Sequence, residues 1–224
     1  MKHYTDAVLA IFWKDLLVER RTREILGTML VFALTVILVF VFAFDLSAEM
    51  RRKAAAGVIW VTLCFAGTIS LNRSMSLEKD REGFDGLLLA PVDRTTIYFG
   101  KALVNWVYLL ITAAIIVPVY TLFNNTSLFS WGMVGVILMG TLGYALTGTL
   151  LSSLSIQLRA RDMLLPVLLF PVLIPLLLAA VRASTILLQG GDPAELGTWF
   201  LMLAGYDLLF AAIGVLVFDK IIED

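Results

Sequence analysis

The sequence predicts an all-α integral membrane protein with six transmembrane helices, preceded by an N-terminal amphipathic helix in the membrane interface. Sixty per cent of the 224 residues are hydrophobic and only 16% are charged, and the mean hydropathy is +0.91. A soluble domain is about 45–50% apolar and about 25% charged. A water-soluble fold of this length could not cover so much apolar surface, so lipid must be its solvent.

Each predicted transmembrane helix corresponds to a long apolar run, since a spanning helix needs roughly 20 apolar residues. The predicted spans are residues 25–44, 54–71, 97–122, 131–157, 163–180 and 198–218. Together with short loops they fill the chain as one membrane domain over residues 1–224. No room is left for a soluble catalytic domain, and we expect a non-catalytic protein.

Residues 1–24 predict a helix that lies in the interface and does not cross it. Tyr4, Val8 and Ile11 recur at three- and four-residue spacing between charged residues, and Trp13 suits the headgroup boundary. In the fifth span, Pro166, Pro171 and Pro175 each leave a backbone carbonyl without its usual partner, which predicts a kinked or broken helix.

The distribution of Lys and Arg predicts the orientation. Arg51, Arg52, Lys53 and Arg182 lie on one side of the predicted spans, and the other thirteen of the seventeen basic residues lie on the opposite side. The positive-inside rule therefore places both termini and the polar 72–96 stretch in the cytoplasm.

Within that stretch, the 74–91 segment combines clustered charges with an apolar run and ends at a proline, which removes a helix hydrogen bond. This composition predicts a short helix across the cytoplasmic mouth of the bundle, and a solvated loop fits it equally well. The residues concerned are Glu78, Lys79, Asp80, Arg81, Glu82, Gly83, Phe84, Asp85, Leu87, Leu88 and Pro91.

We identify no catalytic, cofactor-binding or metal-ligating residue. The Gly100–Lys101 pair is followed by Ala102 and lacks the glycine spacing of a phosphate-binding loop, so any ATP must bind to another chain. Asp207 is a candidate intramembrane functional residue, because an ionised acid at mid-bilayer costs about 2.5–3.5 kcal/mol. Alternatively, it is a protonated or hydrogen-bonded acid that faces Asn105 or a serine.

The charged cluster Glu78–Glu82, followed by Gly83, Asp85, Leu87–Leu89, Pro91 and Gly100–Lys101, resembles the coupling-helix region of ABC exporter permeases. The N-terminal amphipathic helix resembles their elbow helix. With residues 54–91 and the block LPVLLFPVLIPLLLAA at 165–180, the chain resembles the CcmB family, the haem exporter protein B of cytochrome c maturation.

This resemblance implies a permease subunit in the bacterial cytoplasmic (inner) membrane, which forms a homodimer, with ATP bound by a separate CcmA-like ATPase. It further implies a CcmC-like haem-handling membrane protein, a CcmD-like single-span subunit and a CcmE-like periplasmic haem chaperone as partners. Residues 78–91 would form the ATPase-coupling interface, and haem would be the candidate substrate of the complex. No nucleic-acid partner is expected.

Two other functions fit the sequence. One is an ABC exporter permease for a different amphiphilic substrate, and the other is a non-transporting membrane scaffold for an ATPase. A secondary transporter fits less well, because no inverted repeat is visible in the sequence.

Overall fold

A computed structural model of the chain describes residues 2–43, 47–80, 93–124, 128–155 and 161–223. These residues form seven helices and no strand. The helices are α1 (Lys2–Thr22), α2 (Glu24–Ala43), α3 (Ala48–Asp80), α4 (Arg94–Asn124), α5 (Trp131–Ser155), α6 (Arg161–Gln189) and α7 (Pro193–Glu223). Six of them, α2 to α7, are long and apolar enough to cross a membrane. The predicted all-α membrane fold with six spans is confirmed.

Successive spans run in opposite directions, and this gives the bundle two distinct ends. The last turns of α3 and the first turns of α4 lie at the same end as α1, which packs against α4. We call this the α1 end. The opposite end carries the connection from α6 to α7, where Gly190 has a positive φ of 72°.

Several helices are longer than the apolar runs that predicted them, α3 and α6 most of all. The second span was expected over 54–71, but α3 continues through the charged residues to Asp80. The fifth was expected to end at 180, but α6 continues to Gln189 and includes Arg182. Hydropathy marks the stretch that suits the lipid, whereas backbone hydrogen bonding extends a helix beyond the hydrocarbon boundary.

The predicted break in the fifth span does not occur, since α6 is continuous through its three prolines. Carbonyls around a proline can be satisfied by hydroxyl groups of neighbouring helices. In the turn before Pro175, the Tyr206 hydroxyl of α7 donates to the Val172 carbonyl at 3.1 Å.

Helix α5 is the centre of the bundle and packs against α3, α4, α6 and α7. Glycines on α5 allow this close packing, as at Gly140, where a Cβ atom would overlap the Trp60 ring of α3. Buried hydroxyl groups of α5 make three contacts between helices. Tyr144 and Thr68 (α3) are 2.8 Å apart, Asn105 (α4) donates to Thr149 at 3.0 Å, and Thr147 donates to Tyr206 (α7) at 3.0 Å.

The outer surface of the bundle is apolar, mainly on α2, α6 and α7. Large hydrophobic side chains such as Val31, Phe42, Ile174, Leu201 and Leu216 are exposed there. An apolar surface of this extent on a helical bundle is expected to face lipid.

Candidate functional site

The predicted coupling segment connects α3 to α4 at the α1 end. The backbone of Glu78, Lys79 and Asp80 forms the end of α3. The other predicted interface residues lie outside the described residues: Arg81, Glu82, Gly83, Phe84, Asp85, Leu87, Leu88 and Pro91. Their role stays a prediction, and the structure describes the helices on either side of them.

After this segment, the chain re-enters the bundle through a capped helix start. The Asp93 carboxylate accepts hydrogen bonds from the Thr95 amide at 3.0 Å and the Thr95 hydroxyl at 2.8 Å. The Asp93 carbonyl accepts a further bond from the Thr96 amide at 2.9 Å. Such a cap satisfies amide groups that a helix start leaves without partners, so the first turn of α4 is fixed.

A buried ion pair attaches α1 to α4 next to this capped start. The Lys101 ammonium lies 2.6 Å from the Asp15 carboxylate, and these side chains are only 5% and 17% exposed. Beside it, Gly100 packs against Ile11 so closely that a Cβ atom would lie 2.8 Å from the Ile11 side chain. The Tyr4 and Thr95 hydroxyl groups, 3.1 Å apart, make a third contact between these helices.

A second buried acid holds the junction between α1 and α2. The Glu19 carboxylate accepts hydrogen bonds from the Ile25 amide at 3.2 Å and the Leu26 amide at 2.8 Å, in the first turn of α2. A carboxylate at a helix N-terminus also interacts favourably with the helix dipole. The single connecting residue, Arg23, has a φ of 54°, a left-handed conformation that turns the chain sharply between the two helices.

Helix α3 is tied to the same junction by an exposed ion pair. Arg73 donates to the Glu24 carboxylate at 2.9 Å. The α1 end is therefore one connected unit, in which α1 contacts α4, its own carboxylate caps α2, and α2 is paired to α3.

Asp207, the predicted intramembrane residue, lies in the middle of α7 with 8% of its surface exposed. Its carboxylate packs against Gly143 of α5, where a Cβ atom would collide with Oδ1. Oδ1 has no hydrogen-bond partner among the described residues. The Asn105 side chain, one alternative partner considered for Asp207, donates to Thr149 at 3.0 Å. A functional role for Asp207 stays a prediction.

Acidic side chains are scattered across the part of the chain that the structure describes. No group of three or more His, Cys, Asp or Glu side chains there could hold a metal ion. Cys64 is buried in α3, and its carbonyl accepts a hydrogen bond from the Tyr144 hydroxyl at 2.9 Å.

Comparison with known proteins decides the family. The family model for the CcmB protein matches residues 6–223, which extend from α1 into the last turn of α7. The chain belongs to the CcmB family. The predicted membership is therefore confirmed, and the matched region includes the predicted coupling segment and the helices on either side of it.

Three curated relatives of this CcmB-family chain carry the name heme exporter protein B. The one from Rhodobacter capsulatus is 25% identical over 198 residues, which cover 88% of this chain and 89% of the relative. The relative from Bradyrhizobium diazoefficiens is 25% identical over 184 residues, 82% of each chain. The relative from Paracoccus denitrificans is 26% identical over 186 residues, 82% of this chain and 85% of the relative.

The sequence reasoning did not find the residues that build the α1 end of this CcmB-family bundle. Asp15 and Glu19 are two of several charges on the predicted interfacial helix, and Lys101 stands out in the sequence only beside Gly100. A usable indication was present, since Lys101 lies inside a predicted apolar span and a buried cation requires an acidic partner. The pattern could not show which acid, because the partner is 86 residues away in the sequence.

Proposed function

We propose that this CcmB-family protein is the membrane permease subunit of an ABC transporter complex in cytochrome c maturation. Its task would be to couple ATP hydrolysis on a separate ATPase chain to haem export, or to release of a haem-loaded periplasmic chaperone. The observation that carries the proposal is the family match over residues 6–223, supported by three relatives named heme exporter protein B.

In this proposal the 74–91 segment receives the movement of the ATPase. The segment joins α3 to α4, and the start of α4 is fixed by the Asp93 cap and by the Lys101–Asp15 ion pair. A push on the segment would move α4 and α1 together, because a buried ion pair resists separation in an environment of low dielectric constant. Helix α5, hydrogen-bonded to α3, α4 and α7, would carry the displacement across the bundle.

The proposal includes an orientation and a set of partners. The α1 end would face the cytoplasm of a bacterial inner membrane, where a CcmA-like ATPase is accessible. A CcmC-like protein, a CcmD-like single-span subunit and a CcmE-like chaperone would complete the complex with a homodimer of this chain. Haem would be handled by the complex, and ATP would bind only to the ATPase subunit.

Co-purification of the ATPase tests the coupling interface. The combined substitutions Glu78→Lys, Glu82→Lys and Asp85→Lys are expected to abolish recovery of an ATPase with the tagged chain in mild detergent. Glu49→Lys is the control, since Glu49 is an exposed acid at the opposite end and its ion pair with Lys53 is open to solvent and adds little stability. Unchanged ATPase recovery from the triple variant would contradict the ABC assignment.

Labelling with an impermeant thiol reagent tests the orientation in a Cys64→Ala background. A cysteine introduced at Gly190 is expected to react in intact cells. A cysteine introduced at Lys79 should react only after the cells are permeabilised. Reaction at Lys79→Cys from outside intact cells would place the coupling segment on the wrong side for an ATPase and refute the mechanism.

A transporter and a scaffold differ in one measurement. With the ATPase present and the chaperone absent, a permease should still move haem across the membrane of a sealed vesicle in an ATP-dependent way. If ATP hydrolysis only releases the chaperone, haem will not move when the chaperone is absent. That result would exclude the exporting role and leave the ATPase-coupling role in place.

A further inference from the structure

A polar cleft of about 550 Å³ lies at the opposite end of the bundle, between the last turns of α6 and the first turns of α7. None of its residues belongs to the coupling segment or to the helix contacts of the α1 end. Its polar and aromatic lining consists of Arg182, Thr185, Gln189, Glu195, Thr198 and Trp199.

The cleft lies at the depth where a lipid headgroup meets the hydrocarbon core. Helix α6 has 29 residues, so it is about 43 Å long against a hydrocarbon thickness of about 30 Å. Arg182 precedes its C-terminal end by about 10 Å, and Trp199 follows the start of α7 by about 9 Å. Arginine and tryptophan at such depths are typical of the interface between lipid and water.

Two opposite charges line this cleft. Arg182 and Glu195 are both exposed and line the same space. Across the described parts of the chain, however, neither is within ion-pairing distance of the other or of another charged group. A ligand that carries both a negative and a positive group could contact each of them at once.

The two threonines of the cleft, Thr185 and Thr198, favour a ligand with N–H donors. The Thr185 hydroxyl donates to the Val181 carbonyl at 2.7 Å, and the Thr198 hydroxyl donates to the Ala194 carbonyl at 3.4 Å. Their oxygens therefore retain acceptor capacity but have no proton for a phosphate.

The start of α7 also disfavours a purely anionic ligand. The Asp192 carboxylate already accepts the Ala194 amide at 2.9 Å. The helix N-terminus thus has its own negative partner, and a second anion would meet both this carboxylate and that of Glu195.

We propose that this cleft binds the headgroup of a zwitterionic phospholipid with a primary ammonium group, as in phosphatidylethanolamine. The lipid phosphate would accept hydrogen bonds from the Arg182 guanidinium, which is suited to bidentate contacts with phosphate. The ammonium would donate to the Glu195 carboxylate and the threonine oxygens. Trp199 would lie against the glycerol region, with the acyl chains on the apolar surface of α6 and α7.

Lipid retention measured by native mass spectrometry tests the site. The full-length chain is purified from mixed micelles that contain equal amounts of phosphatidylethanolamine, phosphatidylcholine and phosphatidylglycerol with identical acyl chains. We expect about tenfold higher retention of phosphatidylethanolamine, because phosphatidylcholine has no ammonium proton and phosphatidylglycerol has no cation. Equal retention of the three lipids would overturn the proposal.

Two substitutions separate the contributions of the charges. Arg182→Gln should reduce retention of all three lipids, since each carries a phosphate, whereas Glu195→Gln should remove only the preference for phosphatidylethanolamine. Arg52→Gln and Glu49→Gln are matched controls, as exposed charges at the same end but outside the cleft. Free O-phosphoethanolamine at millimolar concentration should not compete, because it lacks acyl chains; full competition would identify a soluble ligand and reject a membrane lipid.

Folding of each variant is checked by circular dichroism and size-exclusion chromatography. Glu195 is exposed and makes no ion pair among the described residues, so Glu195→Gln provides the decisive variant even if Arg182→Gln folds poorly. A preference for phosphatidylethanolamine that persists in Glu195→Gln would refute the assigned ammonium contact and with it the site.

Discussion

Replacing Lys101 by methionine removes the cation that neutralises Asp15 where α1 is attached to α4. The ammonium and carboxylate lie 2.6 Å apart, with side chains 5% and 17% exposed. Removing one partner of a fully buried pair costs about 3–5 kcal/mol. Asp15 retains Lys14, which is half-exposed at 3.1 Å, as a weaker partner. We therefore expect a loss of about 2–3 kcal/mol, below the range for a fully buried pair.

The exposed pair Lys53–Glu49 provides a control with nearly the same geometry. Its two charged atoms are 2.7 Å apart, but the side chains are 62% and 77% exposed. Solvent screens an exposed pair of this kind, so it contributes little to stability. The comparison between Lys101→Met and Lys53→Met therefore isolates the effect of burial from that of distance.

Reversible unfolding in mixed detergent micelles measures the free energies, and hydrogen exchange reports where the structure loosens. In Lys101→Met, exchange should increase most in α1, because this helix packs mainly against α4. The double variant Asp15→Leu, Lys101→Met should cost less than the sum of the single substitutions. A coupling energy below about 0.5 kcal/mol, or equal losses in Lys101→Met and Lys53→Met, would refute the reasoning.

Three further predictions concern single positions. Glu19→Ala should destabilise the protein by about 2–3 kcal/mol in the same unfolding assay, since two amides of the first turn of α2 lose a charged acceptor; Glu24→Ala, an exposed acid five residues away, should cost less than about 1 kcal/mol. Gly143→Ala should lower the free energy of unfolding by about 1–2 kcal/mol, because its methyl group collides with the Asp207 carboxylate. Adding Asp207→Ala should recover part of that loss, and no recovery would show that the carboxylate is not the obstacle. Arg23→Gly should raise the thermal midpoint, with a gain of about 1 kcal/mol from relief of its left-handed backbone, and a lower midpoint would contradict this.

The extent of the membrane helices was only partly predictable. Apolar runs located all six spans because the bilayer requires a minimum apolar length. They could not show that α3 extends to Asp80 or that α6 passes through three prolines to Gln189. The path of these helices depends on backbone hydrogen bonds and on groups of other helices, such as the Tyr206 hydroxyl of α7, which donates to the Val172 carbonyl of α6.

The charged segment of the candidate site could be predicted from the sequence. The buried residues that attach the neighbouring helices to one another could not. The charge cluster at 78–85 stood out because charges are rare in this chain. Asp15 and Glu19 did not stand out as buried residues, since a charged residue on an amphipathic helix usually faces water. Their burial follows from the docking of α1 on α4 and from the sharp turn at Arg23.

The sequence by itself determined that this protein lies in lipid, how many helices cross it and which family it belongs to. These properties depend on composition, on the length of apolar runs and on motifs that are local in the chain. Only the tertiary structure decided that Lys101 pairs with Asp15, that Glu19 caps α2 and that Asp207 lies against Gly143. Helical periodicity indicates which face of a helix is polar, but the neighbour of that face depends on how the helices pack.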